Sequence, residues 1–287
     1  MSVEIKNLNF IYSPKTPYEK KALDDITLTV EDGDFFGIIG HTGSGKSTLI
    51  NHLNALTRTQ PKYNKDAVLK VCGIDLMAKK PDLKGLREKV GMVFQYPEYQ
   101  LFADTVAKDV AYGAKNLGLN DEETEKRVRD AIARVGLNYD EIAERSPFEL
   151  SGGQKRRVAI AGVIVMRPSL LILDEPTAGL DPKGKKEILA LVKELQKTCP
   201  TIIMVSHNMD EVAECCNKVG VLSNGKIMGV FTPDELFSKR ALISSLGLEL
   251  PTVTELSAFL AEKGIDVNPA TLVERDLVES LEWFLNK

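Results

Sequence analysis

The feature that most constrains the fold of this chain is a glycine-rich loop between an apolar segment and a helical one. Residues 40–48 fit the pattern G-x-x-x-x-G-K-[ST], with Gly40, Gly45, Lys46 and Ser47 at its defining positions. The segment before the loop is apolar enough for a buried strand, and apolar residues recur at helical spacing after it. The sequence therefore predicts a strand, a phosphate-binding loop and a helix, in that order.

The chemistry of such a loop follows from its backbone. Glycines let successive N–H groups point inward at phosphate oxygens, and the helix that follows adds its positive N-terminal end. Lys46 is expected to reach the β- and γ-phosphates, and the Ser47 hydroxyl to ligate Mg²⁺. A glycine-rich turn that merely starts a helix is the alternative, which the complete flanks disfavour. The predicted nucleotide-binding residues are Gly40, His41, Thr42, Gly43, Ser44, Gly45, Lys46, Ser47 and Thr48.

Composition narrows the classes of partner. The 287 residues carry a formal net charge of -4 at pH 7, so no basic field attracts a nucleic-acid backbone, and no nucleic-acid partner is expected. None of the four cysteines forms a CxxC pair, so we expect no zinc site and reduced thiols. No apolar run approaches the ~20 residues that span a bilayer, and no signal sequence is apparent. Work at a membrane would therefore need a partner subunit that supplies the span.

Apolar segments alternate with helical patterns, which indicates a parallel sheet covered by helices on both faces. Residues 170–173 and 201–205 read as buried strands, and residues 182–197 as the helix between them. Residues 218–231 read as a closing hairpin around an Asn-Gly turn. Residues 3–12 are predicted to form an edge strand. We also expect the turn at residues 32–33 to close a hairpin between the strands on either side of it.

Two parts of the chain are mostly helical and divide it into regions. Residues 96–167 interrupt the strand series, and residues 232–287 follow it. We predict a domain over residues 1–231 with a helical insert at about 96–167, followed by a C-terminal helical extension. Apolar residues on the extension suit a dimer contact or a cap over the sheet edge. We favour the dimer contact, because an apolar stripe has to be buried somewhere.

A pair of carboxylates follows the apolar run at residues 170–173. Asp174 stands at the predicted strand end, where it can hold Mg²⁺ opposite Ser47. Glu175 follows directly and can orient the attacking water or accept its proton. A strand end with a solvated acidic turn is the alternative, which the upstream phosphate-binding loop disfavours.

The most specific motif is Leu-Ser-Gly-Gly-Gln at residues 150–154. Ser151 is expected to cap a helix, and Gly152 and Gly153 let a phosphate approach the backbone N–H groups. A simple helix start explains the serine but not two glycines followed by Gln154. The motif resembles the signature of ATP-binding-cassette (ABC) ATPases, and it lies between a helical insert and an acidic strand end as in that family.

The resemblance assigns further residues. Tyr12 resembles the aromatic residue that stacks on adenine, although a half-buried strand tyrosine is the alternative. Gln95 resembles the glutamine that contacts Mg²⁺ and joins the core to the insert, although a polar strand end is the alternative. Residues 178–181 resemble the loop that touches the other subunit, and Asp181 is the last residue of that segment. His207 resembles the switch histidine near the γ-phosphate.

The resemblance covers residues 3–231 and implies a fold and a reaction. The fold is an α/β P-loop NTPase with a RecA-like parallel core, an antiparallel β-subdomain, a helical insert and a small C-terminal helical extension. The reaction is ATP hydrolysis with Mg²⁺ at two composite sites of a dimer, each built from the loop of one subunit and the signature of the other. The implied catalytic residues are Glu175, His207 and Gln95. The implied metal ligands are Ser47, Gln95 and Asp174, and the implied nucleotide contacts also include Tyr12, Ser151, Gly152, Gly153, Gln154 and Asp181.

Local segments also resemble the second of two paralogous ATPases in energy-coupling factor (ECF) importers of vitamins and metals. This branch implies a second ATPase subunit (a paralogue or a second copy), a transmembrane coupling subunit and a substrate-binding membrane subunit. It also implies a peripheral position on the cytoplasmic face of the cell membrane. The segments that carry the resemblance are residues 12–23, 93–102, 105–113, 173–180 and 247–251.

An apolar patch beside Gln95 suits docking of a helix from the coupling subunit. The alternative is that these residues only seal the core against the insert. The patch consists of Tyr96, Pro97, Tyr99, Leu101 and Phe102.

Two other functions stay open at this point. A soluble cassette ATPase acting on nucleic acid, ribosomes or cluster assembly usually has two cassettes, a long coiled coil or basic arms, which this chain lacks. A small-molecule P-loop kinase would explain the loop but not residues 151–154 or His207.

Overall fold

The structure is a computed structural model that describes residues 1–285. The last two residues of the predicted C-terminal extension lie outside that range. The strands are β1 (Val3–Tyr12), β2 (Lys20–Val30), β3 (Phe35–Ile39), β4 (Val68–Val71), β5 (Ile74–Asp75), β6 (Val90–Val93), β7 (Leu170–Asp174), β8 (Thr201–Val205), β9 (Lys218–Ser223) and β10 (Lys226–Phe231). The helices are α1 (Lys46–Leu53), α2 (Leu83–Lys89), α3 (Val106–Asn116), α4 (Asp121–Arg134), α5 (Tyr139–Ile142), α6 (Gly152–Ile164), α7 (Pro182–Gln196), α8 (Met209–Cys215), α9 (Pro233–Ser238), α10 (Arg240–Ser245), α11 (Thr252–Glu262) and α12 (Glu274–Leu285).

The larger sheet has the strand order β10-β9-β3-β8-β7-β6. Its strands from β9 to β6 are parallel, and β10 pairs with β9 in the antiparallel sense. This arrangement confirms the predicted parallel core and the hairpin at residues 218–231. Because the carboxyl ends of parallel strands meet at one edge, the segments after β3, β6, β7 and β8 converge there.

The smaller sheet is antiparallel and has the strand order β2-β1-β4-β5. The predicted edge position of β1 is wrong, because Ile5 pairs with Leu28 on one side and with Leu69 on the other. The predicted hairpin at residues 32–33 is also wrong, since β2 and β3 belong to different sheets. All five residues of β3 are buried, which suits a central parallel strand rather than one arm of a hairpin.

Helices α3 to α6 lie between β6 and β7 in sequence and pack around a shared apolar core with the larger sheet. Val110, Ile132 and Val158 from these helices belong to the same buried cluster as Leu171 and Ile202 of the sheet. Helix α6 begins at Gly152 because Ser151 caps it, which confirms the predicted cap. The residue limits of the insert and the extension stay predictions.

Helix α11 buries a different face from the one that its apolar residues suggest. Helix α11 buries Thr254, Ser257 and Ala258 against the rest of the chain, whereas Leu256 and Phe259 are exposed. The apolar stripe of α11 is therefore not used within the described chain. Among residues 1–285, the structure contains no helix that is both long enough and apolar enough to span a membrane.

Candidate nucleotide site

The phosphate-binding loop follows the central strand β3 and leads directly into α1. Gly40 has a φ of 152° and Gly45 a φ of 111°, and both are backbone conformations that residues with a side chain rarely adopt. A Cβ atom at Gly40 would lie 2.0 Å from the carbonyl oxygen of Leu222, and one at Gly45 would lie 2.5 Å from that of Ala22. These two glycines are therefore required by close approach of the backbone as well as by φ.

Lys46 is buried and lies over the loop that precedes it. Its Nζ donates to the carbonyl oxygens of Gly40 at 2.6 Å and His41 at 3.1 Å. The pKa of Lys46 is lowered from its usual value because the side chain is buried, and the nearby carboxylates of Glu175 and Asp174 act in the opposite direction. The ammonium therefore lies in a partly desolvated position over the loop, where a phosphate oxygen would be a strong acceptor.

Tyr12 stands at the end of β1, beside the helix that follows the loop. Its hydroxyl is 3.1 Å from the Oγ1 of Thr48, and its ring meets Phe10 edge-on at 4.8 Å. The remaining part of the ring is exposed. A residue of the smaller sheet thus offers an aromatic surface next to the phosphate-binding loop, as base stacking requires.

The two predicted carboxylates lie at the end of β7. Glu175 has a φ of 48°, and its N–H donates to the carbonyl of Val205 on the neighbouring strand at 2.9 Å. Burial, together with the charge of Glu175, raises the pKa of Asp174 to about 6, while Lys46 opposes the shift. Two crowded carboxylates beside one buried ammonium favour a further cation. The oxygen donors of Ser47, Gln95 and Asp174 are of the type that Mg²⁺ prefers, so these residues fit the ion.

The other two predicted catalytic residues, Gln95 and His207, both contact the Glu175 carboxylate. The Nε2 of Gln95 donates to its Oε2 at 2.9 Å, and the Nδ1 of His207 lies 3.1 Å from its Oε1. The three side chains line one cavity of about 220 Å³. They come from segments after three adjacent parallel strands, β6, β7 and β8, which explains how distant sequence positions meet.

The signature motif leads into the N-terminus of α6, and its residues Ser151, Gly152 and Gly153 are exposed. Ser151 and Gln154 form a capping box, with the N–H of Gln154 donating to the Ser151 Oγ at 3.3 Å and the N–H of Ser151 donating to the Gln154 Oε1 at 3.1 Å. At Gly152 and Gly153, a Cβ would meet no described atom within 4 Å. The packing of this chain therefore does not require either glycine.

The structure does not join the signature to the phosphate-binding loop. Within residues 1–285, no hydrogen bond or ion pair connects residues 150–154 with residues 40–48. Asp181 is likewise exposed, and it caps α7 by accepting from the N–H of Gly184 at 2.8 Å. The chain therefore brings together the loop, the carboxylates, Gln95 and His207, and leaves the signature open to another molecule.

Sequence patterns missed a buried polar network beside this site. Arg156, two residues beyond the signature, contacts Glu98 and the segment after Glu175. Glu211 accepts from Thr177 and from a serine that precedes His207. None of these residues was predicted as a site residue, although Glu98 and Thr177 lie within residues 93–102 and 173–180, two of the segments that carry the resemblance.

Comparison with known proteins identifies the family. The ABC transporter family matches residues 23–178. The chain is 49% identical over 286 residues to the energy-coupling factor transporter ATP-binding protein EcfA2 of Caldanaerobacter subterraneus subsp. tengcongensis, which covers 99% of this chain and 98% of that protein. It is 48% identical over 289 residues to EcfA2 of Clostridium tetani, with 100% and 99% covered.

Solved structures agree with this assignment. CbiO1 from Clostridium perfringens, described as part of the ABC transporter complex cbiONQ, superposes with a TM-score of 0.73 at 37% identity and covers 89% of this chain and 98% of its own. The dimeric ATP-binding cassette MJ0796 bound to ADP and Pi has a TM-score of 0.68 at 27% identity, covering 80% and 98%. The chain therefore belongs to the ABC transporter family and, within it, to the energy-coupling factor transporter ATP-binding proteins.

Proposed function

We propose that this chain is the ATP-hydrolysing subunit of an ECF importer, which powers uptake of a vitamin or a metal ion through partner membrane subunits. The observation that carries the proposal is the convergence of Gln95 and His207 on Glu175 beside the phosphate-binding loop. The near full-length similarity to ECF ATP-binding proteins supports the same function. This arrangement suits hydrolysis. The Glu175 carboxylate is the base that activates a water, and the amide of Gln95 and the imidazole of His207 hold that carboxylate in a fixed position.

Each group has a distinct role in the proposed reaction. The N–H groups of residues 40–48 and the Lys46 ammonium bind the β- and γ-phosphates, and Tyr12 stacks on the adenine. Glu175 orients the attacking water and accepts its proton, while Gln95 and His207 hold the two carboxylate oxygens in place. Ser47, Gln95 and Asp174 would hold Mg²⁺, which would supply positive charge beside the phosphates.

A second ATPase subunit, either a paralogue or another copy, completes each site. Gly152 and Gly153 are exposed, have open space above them and are not needed for packing, so a group from outside this chain explains the pair best. A phosphate bound to the loop of a partner subunit is such a group, because the N-terminus of α6 attracts anions. Asp181, exposed in the loop before α7, is proposed to line the same interface.

The transmembrane coupling subunit is proposed to dock in a groove of about 560 Å³ between the larger sheet and the helices α3 and α6. Phe102 and Tyr112, which meet edge-on at 5.1 Å, line this groove, and Tyr99 lies beside it. Pro97 and Leu101 are buried, and Leu101 both belongs to the core cluster and lines the groove. Asp109 accepts from the N–H of Phe102 at 2.8 Å and so holds the groove edge in shape.

In the proposed assembly, this chain is a peripheral subunit at the cytoplasmic face of the membrane, and a separate membrane subunit binds the solute. Purification of the tagged full-length chain from detergent-solubilised native membranes tests the proposal. We expect stoichiometric recovery of a second ATPase and of integral membrane proteins, with ATP-dependent solute uptake after reconstitution into vesicles. Recovery of the chain with soluble proteins only would contradict the proposed function and favour a soluble cassette ATPase.

A further inference from the structure

Arg156 is the largest side chain among the fully buried residues, with 1% of its surface exposed. It lies in the second turn of α6, two residues after the signature. A guanidinium has no neutral form at physiological pH, so a buried one has to be paired and fully hydrogen-bonded. The surroundings of Arg156 therefore have to supply hydrogen-bond acceptors as well as apolar packing.

The guanidinium of Arg156 joins two other segments. Its Nε and Nη2 form a bidentate pair with Glu98, at 3.0 and 2.8 Å. Its Nη1 donates to the carbonyl oxygens of Pro176 at 3.2 Å and Ala178 at 2.9 Å. These four hydrogen bonds require the planar guanidinium of arginine. A lysine ammonium at the same place cannot make all four of them.

The segments that Arg156 joins belong to different parts of the proposed mechanism. Glu98 lies in a short 3-10 helix, Pro97–Gln100, which follows Gln95 and contributes Gln100 to the groove wall. The two carbonyls belong to the loop that begins directly after Glu175. One buried side chain therefore ties the signature helix, the groove edge and the loop of Glu175 together.

The hydrogen bonds continue from that loop toward His207. Thr177, between the two carbonyl groups, donates to the Oε1 of Glu211 at 2.5 Å. Ser206, the neighbour of His207, donates to the Oε2 of the same carboxylate at 2.9 Å. Glu211 is almost fully buried, so its two hydroxyl partners are strong contacts in a medium of low polarity.

We propose that Arg156 is a positioning residue for ATP hydrolysis, which with Glu98 couples the docking groove to the loop of Glu175. A partner that moves the groove edge displaces Glu98, and the bidentate pair transmits the shift to the carbonyls beside Glu175. A buried ion pair suits this task, since it imposes one register on the segments it joins. The inference rests on the proposed function, because the groove is taken as the docking site of the membrane partner.

Two variants of the full-length chain, purified with its partners, test the proposal. Arg156→Lys keeps the positive charge but removes the bidentate pairing with Glu98. Glu98→Gln keeps the shape of the side chain but removes its negative charge. In each, we expect kcat for ATP to fall about ten- to a hundredfold, because small displacements of a catalytic group have effects of this size. KM for ATP should stay within about twofold, since the phosphate-binding loop is not altered.

Arg157→Lys is the matched control. Arg157 is the next residue of α6 and contacts the Val135 carbonyl at 2.7 Å and Glu187 at 2.9 Å, away from the Glu175 loop. Rates are corrected for the folded fraction measured by thermal unfolding, so a loss of stability alone does not mimic the effect. The double variant of Arg156 and Glu98 should be no slower than the slower single variant, because both remove the same connection.

The possible outcomes separate the two proposals. Wild-type kcat in both single variants, or equal loss in Arg157→Lys, would overturn the positioning role of Arg156. Solute uptake per ATP hydrolysed should also fall in Arg156→Lys and Glu98→Gln relative to the wild-type complex. If the wild-type chain has no membrane partner, the proposed function fails, whereas the kcat comparison still decides whether Arg156 positions Glu175.

Discussion

The imidazole of His207 and the carboxylate of Glu175 lie 3.1 Å apart, although they follow two different strands. The neighbouring parallel strands β7 and β8 carry them, and the N–H of Glu175 donates to Val205 of β8. The backbone at Glu175 is in the left-handed region, which turns its side chain toward His207 and Gln95. Strand pairing thus determines how the predicted catalytic residues are arranged.

Replacing Glu175 by glutamine should nearly abolish ATP turnover and preserve ATP binding. The amide keeps the shape of the side chain but cannot accept a proton, and loss of such a group typically costs ~10²–10⁴ in rate. Phosphate release and equilibrium ATP binding measure the two effects. Glu194→Gln, an exposed carboxylate paired with Lys197, is the control and should be as active as the wild type. Full steady-state turnover in Glu175→Gln would show that another residue is the base.

Gly40→Ala should prevent correct folding of the phosphate-binding loop. The new Cβ would lie 2.0 Å from the Leu222 carbonyl oxygen, and φ is unsuited to alanine. We expect a loss of roughly 2–4 kcal/mol in the free energy of unfolding, together with loss of ATP binding. Chemical denaturation and nucleotide titration measure both. Unchanged stability would mean that the loop can move away from Leu222 at little cost.

Gly153→Ala should raise the free energy of unfolding and still reduce ATP hydrolysis. The position is helical and open, so alanine should stabilise the helix by up to about 1 kcal/mol, which is the usual difference in helix propensity. ATP hydrolysis should nevertheless decrease, because the methyl group would stand where the partner's bound phosphate approaches. Thermal unfolding and ATPase assays on the same sample distinguish the effects. Unchanged hydrolysis would contradict a composite site at this helix end.

Asp174→Asn should stabilise the nucleotide-free protein at neutral pH. The pKa of Asp174 rises from 3.8 to about 6 on folding, so the folded state binds the proton more tightly than the unfolded state. Stability linked to this group is therefore present below about pH 4 and is lost as pH rises toward 6. At pH 7 the gain in the variant should be about 1–2 kcal/mol, after allowance for solvent screening of a partly exposed group.

Denaturation of both proteins from about pH 4 to 7 measures this difference, which should grow with pH. The variant should also lose the stabilisation that Mg²⁺ with ATP confers on the wild type, because it lacks the carboxylate ligand. A difference that is constant across this range would show that Asp174 is not the group responsible.

The groove residues should matter for assembly and not for nucleotide binding. We expect Tyr99→Ala with Phe102→Ala to reduce recovery of the membrane subunit at least about tenfold, since exposed aromatic anchors dominate interfaces. Tyr18→Ala is the control, because Tyr18 and Tyr99 are both 84% exposed. ATP binding should be unchanged in both the double variant and the control. Normal recovery of the membrane subunit would place the docking surface elsewhere.

Sequence patterns were most informative where the chemistry is local. The phosphate-binding loop, the carboxylates after β7 and the cap at Ser151 each depend on a few consecutive residues, so their types and spacing predict their geometry. The alternation of apolar and helical segments likewise predicted the parallel sheet, because burial on both faces leaves a continuous apolar run.

Tertiary structure decided the features that depend on distant pairing. The inner position of β1, the absence of pairing between β2 and β3, and the exposed stripe of α11 all depend on which surfaces meet. The same is true of the bond between Arg156 and Glu98, which spans 58 positions in sequence.

By itself, then, the sequence determined that the chain binds nucleotide phosphates and to which family it belongs. Backbone N–H groups, a lysine and acidic strand ends act through short-range geometry that their order in the chain already specifies. Only the tertiary structure decided that Gln95 and His207 flank Glu175 and that the buried Arg156 joins Glu98 to the loop after Glu175. Such contacts are set by strand order and by the requirement that a buried charge be paired, and neither is visible in any single segment.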